Sequence, residues 1–246
     1  MQVAAGGGGA VAIGQPARPS SRELPAGSAR REDFFAKYVG KTVLGVGAHP
    51  DDLELGAGGT LARLSRAGAR VVMAVVSVPN RLEARLDEAR RGAAILGCEL
   101  RVLIPDRCTR AEDMKSHQLV SLFDALVKDL APAALLTHCI ANYHADHRLV
   151  YEACVATQRL AYFDMFCYSP TSCVPVNIAF HPHAYIDISD TIELKMRAIA
   201  VHHTQFSGRG LESNFYREAA SLTGRMVGVA YAEGLEIVRL RVDSAG

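Results

Sequence analysis

A rhythm constrains the fold of this chain more than any single residue does. Short apolar runs rich in β-branched residues, 41–48, 70–77, 100–104 and 133–137, alternate with longer stretches of helical periodicity. The first helix is expected to open at Gly56-Ala57-Gly58-Gly59, run through Leu61, Leu64 and Ala67, and stop at Gly68. Further helices are expected at 82–96, ending at Gly97, at 116–130, with Leu119, Leu122, Phe123, Leu126 and Leu130 on one face, and at 149–163. Strand, helix, strand, helix in that order predicts an α/β fold, a mostly parallel sheet with helices on both faces. The last third is less regular, with a strand expected at 184–188 and helices at 191–203 and 215–231.

The 246 residues suffice for one such domain. Its start is expected near Asp33, giving a single domain over 33–246 behind a flexible tail, 1–32, that holds Gly6-Gly7-Gly8-Gly9 and Pro16-Ala17-Arg18-Pro19. The tail lacks the continuous apolar core of a secretory signal, and no stretch approaches the roughly 20 apolar residues of a membrane span. A formal charge of +1, from 27 basic and 26 acidic side chains, argues against a nucleic-acid or membrane surface. The six cysteines form no Cys-x-x-Cys pair and lie largely in apolar segments, which reads as reduced thiols and a cytoplasmic protein. Whether the chain forms a homo-oligomer is left open.

Two polar clusters stand at the carboxyl ends of apolar runs, where ligand sites gather in open α/β sheets. The first is Ala48-His49-Pro50-Asp51-Asp52-Leu53-Glu54 and the second Tyr143-His144-Ala145-Asp146-His147. His49 and Asp52, three apart across a turn, can converge on one ion, and His147 completes a three-ligand set. Such a set suits one catalytic zinc per chain, with positions left for water and substrate. Fe²⁺ or Co²⁺ fits the same donors. Asp51, beside a ligand but not needed as one, is placed to act as a general base. His144 and Asp146 are two apart, so Asp146 is expected to hold His144 in a cationic form that stabilises an oxyanion. Taken singly each piece has a plainer reading: His-Pro marks a turn, Asp-Asp a helix start, and Asp146 an N-cap.

The motifs together resemble the two signature blocks of the PIG-L/LmbE-like zinc deacetylases: Ala48-His49-Pro50-Asp51-Asp52-x-Glu54 with Gly58-Gly59, then His144-x-Asp146-His147-Arg148. Arg85-x-x-Glu88, Asp187-Ile188-Ser189, Lys195, His203-Thr204-Gln205 and Tyr231-Ala232-Glu233 extend the resemblance over roughly 41–240. The resemblance implies a Rossmann-like three-layer fold and hydrolysis of the N-acetyl group of a glucosamine-type conjugate. It implies zinc on His49, Asp52 and His147, Asp51 as base, and His144 with Asp146 at the oxyanion. Relatives carry Asp or Tyr where this chain has Asn142, followed by Tyr143, so which side chain assists the oxyanion stays open.

Arg85, Asn142, Tyr143 and His203 are candidate substrate contacts, Arg85 gripping a sugar hydroxyl at the rim or forming a surface pair with Glu88. The loop from His203 to Gly208 is similar to that of the pseudoaglycone deacetylases of glycopeptide antibiotic biosynthesis, the teicoplanin type; mycothiol- and aminoglycoside-type precursors are the alternatives. The rival from another class is a non-catalytic Rossmann-like module that binds a sugar or nucleotide. It accounts for the glycine-rich helix start but not for the paired His and Asp clusters.

Overall fold

The structure, a computed structural model, describes residues 34–169, 180–206 and 214–242. The expected tail over 1–32 lies outside the described residues.

Seven strands make one sheet in the order β3-β2-β1-β4-β5-β7-β6. In chain order the elements are β1 (Thr42–Gly47), α1 (Asp52–Arg66), β2 (Arg70–Val75), α2 (Leu82–Leu96), β3 (Glu99–Val102), α3 (Ser116–Leu130), β4 (Ala134–His138), α4 (Ala145–Thr157), β5 (Asp164–Tyr168), β6 (Ala184–Asp187), α5 (Ile192–Ala200), α6 (His203–Phe206), α7 (Asn214–Val227) and β7 (Ala232–Arg239). Strands β1 to β5 pair in parallel, while β7 runs antiparallel to both β5 and β6.

The central strands are apolar on both faces because helices cover both. Along β1, Val43 packs with Leu53, Leu61 and Leu64 of α1 and Leu96 of α2, whereas Leu44 and Val46 pack with Phe123, Leu126 and Leu130 of α3 and Val150 of α4. Period-2 alternation thus feeds two cores from one strand. This is the three-layer α/β architecture that the alternating pattern implies.

Several boundaries differ from the sequence expectation. Helix α1 begins at Asp52, so the glycine run lies inside it rather than at its start. Tertiary contact explains the glycines. A Cβ at Gly56 would collide with the Tyr168 ring, and one at Gly59 would lie 2.7 Å from the Ile188 Cβ. Helix α4 starts at Ala145, directly behind the second cluster, and ends at Thr157, earlier at both ends than expected, and Asp164–Tyr168 forms β5, a strand that was not anticipated. The helix expected over 191–203 is split into α5 and the short α6, and β7 was not anticipated.

A buried ion pair ties the late elements to α1. Lys195 of α5 and Glu233 of β7 meet at 2.5 Å, both almost wholly buried. Lys195 Nζ donates to the Leu55 carbonyl at 2.8 Å, while Glu233 accepts from the Gly59 N–H at 3.0 Å and the Thr60 N–H at 2.7 Å. Leu55 C=O and Gly59 N–H stand in the i, i+4 relation of α-helical partners, so the ion pair engages the helix at its own hydrogen-bonding groups.

Candidate metal centre and active site

The first cluster occupies the turn between β1 and α1. Gly47 lets it fold tightly, since a Cβ there would lie 3.1 Å from the Asp52 Cβ and 3.3 Å from the His49 carbonyl oxygen. Asp51 sits at φ 99° and ψ −31°, a region that favours glycine and costs a side-chain-bearing residue about 1–3 kcal/mol. Arg85 of α2 braces the turn: its Nη2 donates to the Pro50 carbonyl at 2.9 Å and lies 3.5 Å from Asp51 Oδ1. Arg85 is therefore not a loose rim residue, and it is 3% exposed. Nor do Arg85 and Glu88 form a surface pair. Glu88 is buried and accepts from the Thr204 N–H at 2.8 Å and the Thr204 hydroxyl at 2.6 Å, fastening α6 to α2.

Asp52 meets each of the other two expected donors, through a different carboxylate oxygen. Asp52 Oδ1 lies 3.3 Å from His147 Nε2, and Asp52 Oδ2 lies 3.6 Å from His49 Nδ1. The His49 N–H donates to Asp52 Oδ2 at 2.8 Å, which fixes the carboxylate across the turn. His138, the last residue of β4, joins them unforeseen: it is fully buried, with Nε2 3.2 Å from Asp52 Oδ2. Donor atoms of Asp52, His138 and His147 lie within 4.8 Å of one another, as do those of His49, His144 and His147. The Nδ1 atoms of His138 and His147 are buried without a protein partner. Imidazole and carboxylate groups converging at this spacing can hold a divalent metal ion.

The ionisation of the cluster follows from burial and mutual charge. For Asp52, burial works to raise the pKa, but His147 and His138 prevail and hold it well below the usual carboxylate range. For Asp51, burial and the neighbouring Asp52 charge push the pKa up to about 7, against the opposing charge of Arg85. His138 is pushed down to about 4 by burial and by His147, and is neutral at pH 7. Burial opposes protonation of His49, yet the Asp146 hydrogen bond and the surrounding carboxylates raise its pKa.

The second cluster is wired differently from the sequence expectation. Asp146 does not hold His144. Its Oδ2 accepts from His49 Nε2–H at 2.7 Å and its Oδ1 accepts from the Glu112 N–H at 2.8 Å. That leaves His49 Nδ1 free to face Asp52, the arrangement by which a carboxylate orients a metal-binding imidazole. His144 is itself the N-cap of α4, its Nδ1 accepting from the Asp146 N–H at 3.2 Å. The proton then resides on Nε2. Burial and the imidazoles of His147 and His49 lower its pKa, which works against the expected cationic form.

Among the candidate substrate contacts, Tyr143 is 48% exposed and lines a cavity of about 580 Å³ together with His49, Asp51, His144, Arg85 and Gln205. Asn142 and His203 are not part of that lining. Asn142 is buried, its Oδ1 accepting from the His144 N–H at 3.0 Å. His203 points to solvent, while its neighbour His202 is buried against Glu54 at 3.0 Å. The cysteines Cys98, Cys108, Cys139, Cys154 and Cys167 are free, and no helix among the described residues is long and apolar enough to cross a membrane.

Comparison with known proteins identifies the family. A family model described as PIG-L, GlcNAc-PI de-N-acetylase, matches residues 44–157, the stretch that holds both clusters. An uncharacterised deacetylase of Escherichia coli K12, YaiS, is 32% identical over 128 residues, covering 48% of this chain and 69% of the relative. The chain belongs to the PIG-L family of deacetylases. A second relative, the diacetylchitobiose deacetylase of Thermococcus kodakarensis, is 28% identical over 223 residues, 80% of this chain and 83% of that protein. Two solved structures share the fold. The A40926 pseudoaglycone deacetylase Dbv21 superposes with TM-score 0.65 at 19% identity, over 82% of this chain and 98% of that one. The 4-carboxy-2-hydroxymuconate hydratase GalB of Pseudomonas putida KT2440 superposes with TM-score 0.69 at 21% identity, over 83% and 99%. A deacetylase and a hydratase on one scaffold show that the PIG-L fold alone does not fix the reaction.

Proposed function

We propose that this PIG-L protein hydrolyses the acetamide of an N-acetylglucosaminyl conjugate, releasing acetate and a free amine, with one zinc ion held by His49, Asp52 and His147. The observation that carries this reading is the placement of Asp51. Its carboxyl group stands beside the convergent donors and at the wall of an open cavity, on a turn braced by Arg85, within reach of a water in that cavity.

A divalent ion in this position supplies Lewis-acid polarisation of the amide carbonyl and makes water more acidic. Asp51 takes one proton from the attacking water as its oxygen adds to the acetamide carbon. His144, with its proton on Nε2, donates to the developing oxyanion as a neutral imidazole rather than a cation. Asp51 then delivers its proton to the departing nitrogen as the C–N bond breaks, so water and amide become acetate and amine. Tyr143 and Gln205 face the sugar from the cavity wall, and Arg85 braces the base.

The glycan end of the substrate is supported by the family description and by the diacetylchitobiose deacetylase relative. The likeness to a glycopeptide deacetylase is one of fold, so the aglycone is for experiment to name. Purified protein is incubated with diacetylchitobiose, N-acetylglucosaminyl glycopeptides and mycothiol-type precursors, and acetate release is measured beside metal content. Acetate from any of these, abolished by chelation and restored by zinc, is the expected result. A protein that binds one zinc and leaves every acetamide intact overturns the deacetylase reading.

A further inference from the structure

We infer that His138 is a positioning residue for the metal centre, holding both the Asp52 carboxylate and the His147 ring in ligating geometry from beneath. The inference rests on the metal site proposed above and adds a residue outside its ligand set and outside both sequence motifs.

Three contacts carry it. First, His138 Nε2 lies 3.0 Å from the Ala48 nitrogen and 3.2 Å from Asp52 Oδ2. One side chain from β4 thereby reaches both ends of the 48–52 turn. In one tautomer it accepts from the Ala48 N–H, and in the other it donates to Asp52. Second, its ring stacks on that of His147, with centroids 3.9 Å apart and planes 10° from parallel. Third, His144 stacks on the opposite face of His147 at 4.5 Å and 16°. The His147 ring is held between two others, and its in-plane Nε2 keeps its direction toward Asp52. The face supplied by His144 is open to solvent, whereas the face supplied by His138 is fully buried. The buried face therefore defines the ring plane. A ligand pair held this way pays less ordering entropy when an ion enters, as partners behind a metal ligand do in general.

Stacking favours this supporting role over ligation beside His147, because two imidazoles face to face direct their in-plane lone pairs along parallel lines rather than onto a shared point.

Two substitutions separate the contacts. His138→Phe keeps a flat face against His147 and removes the nitrogen, while His138→Gln keeps a polar atom near Ala48 and Asp52 and removes the flat face. Apoprotein prepared by chelation is titrated with Co²⁺, reading affinity by competition and ligand geometry from the visible absorption bands, with circular dichroism confirming the fold. We expect cobalt affinity to fall about 10–100-fold in at least one variant, with altered absorption bands. Affinities within twofold of the parent, with unchanged spectra, overturn the inference. So does failure of both variants to fold, which assigns His138 to stability alone. A parent protein that takes up no cobalt breaks the metal assignment itself, a result distinct from a parent that binds and variants that bind equally well.

Discussion

Two buried polar clusters engage α1, one at its first residue and one along Leu55 to Thr60, and they are built on different terms. Around Lys195 and Glu233, charge meets charge at 2.5 Å and the carboxylate accepts from Gly59, Thr60 and the Thr60 hydroxyl. No side-chain atom there is orphaned among the described residues. Around Asp52, by contrast, His138 Nδ1 and His147 Nδ1 are buried without partners, and Arg85 Nε and His202 Nδ1 lie close behind in the same condition. A closed network stabilises a fold through its own partners, whereas an open one leaves buried polar atoms to be satisfied from outside the protein, by water or an ion. Burial alone does not distinguish the two clusters; satisfaction does.

The contrast can be broken most severely at the open cluster. His49→Ala and His147→Ala should each lose the metal in the folded protein, by more than the ~100-fold that marks loss of a supporting residue. Equilibrium dialysis checks this, and full occupancy in either variant refutes the ligand set. Asp51→Asn should keep the metal and lower turnover by about 10²–10⁴-fold, read as acetate release against metal content. At the closed cluster the sign reverses. Lys195→Met strands Glu233 in the interior and should cost about 3–5 kcal/mol by chemical denaturation, with metal affinity unchanged in the folded fraction. Gly59→Ala should cost about 1–3 kcal/mol through its clash with Ile188, despite the better helix propensity of alanine.

A further test of the open cluster concerns pH. The Asp51 pKa is raised in the folded, metal-free protein above its unfolded value of 3.8, to about 7. The folded state therefore binds this proton more tightly, and the carboxylate destabilises the fold fully above pH 7 and not at all below about pH 4. Asp51→Asn should raise the Tm of the metal-free protein at pH 8, with the gain shrinking as pH falls from 7 to 4. A gain that grows toward acid pH contradicts the assignment.

The parallel strands β1 to β4 and the nearness of His49 to Asp52 were legible because their signals are local. His49 and Asp52 are three apart across one turn, and the helices 82–96 and 116–130 carry complete apolar stripes. What depended on tertiary contact was not legible. The glycines at 56–59 read as a helix start because glycine is a poor helix former, yet the Tyr168 and Ile188 side chains require them inside α1. Asp146 read as the partner of His144 because the two are close in sequence. The turn of α4 at Ala145 instead carries its carboxylate to His49, 97 positions away. His138 gave one signal, a histidine directly after the buried run Leu135-Leu136-Thr137 at a strand's carboxyl end, and a lone histidine there resembles any other. Arg85 read as a surface residue because nothing in its helix announces that the Pro50 carbonyl needs a donor.

The clasp of Lys195 and Glu233 on α1 has a bearing on how the protein is cut and grafted. Every proposed ligand and the base fall within 44–157, so that segment carries the whole motif. Yet the helix that starts at Asp52 is anchored by side chains nearly forty and more than seventy-five positions beyond that segment's end. A fragment trimmed to the motif keeps the letters and loses the scaffold, and a graft of this centre onto another sheet has to import α5 and β7 along with it.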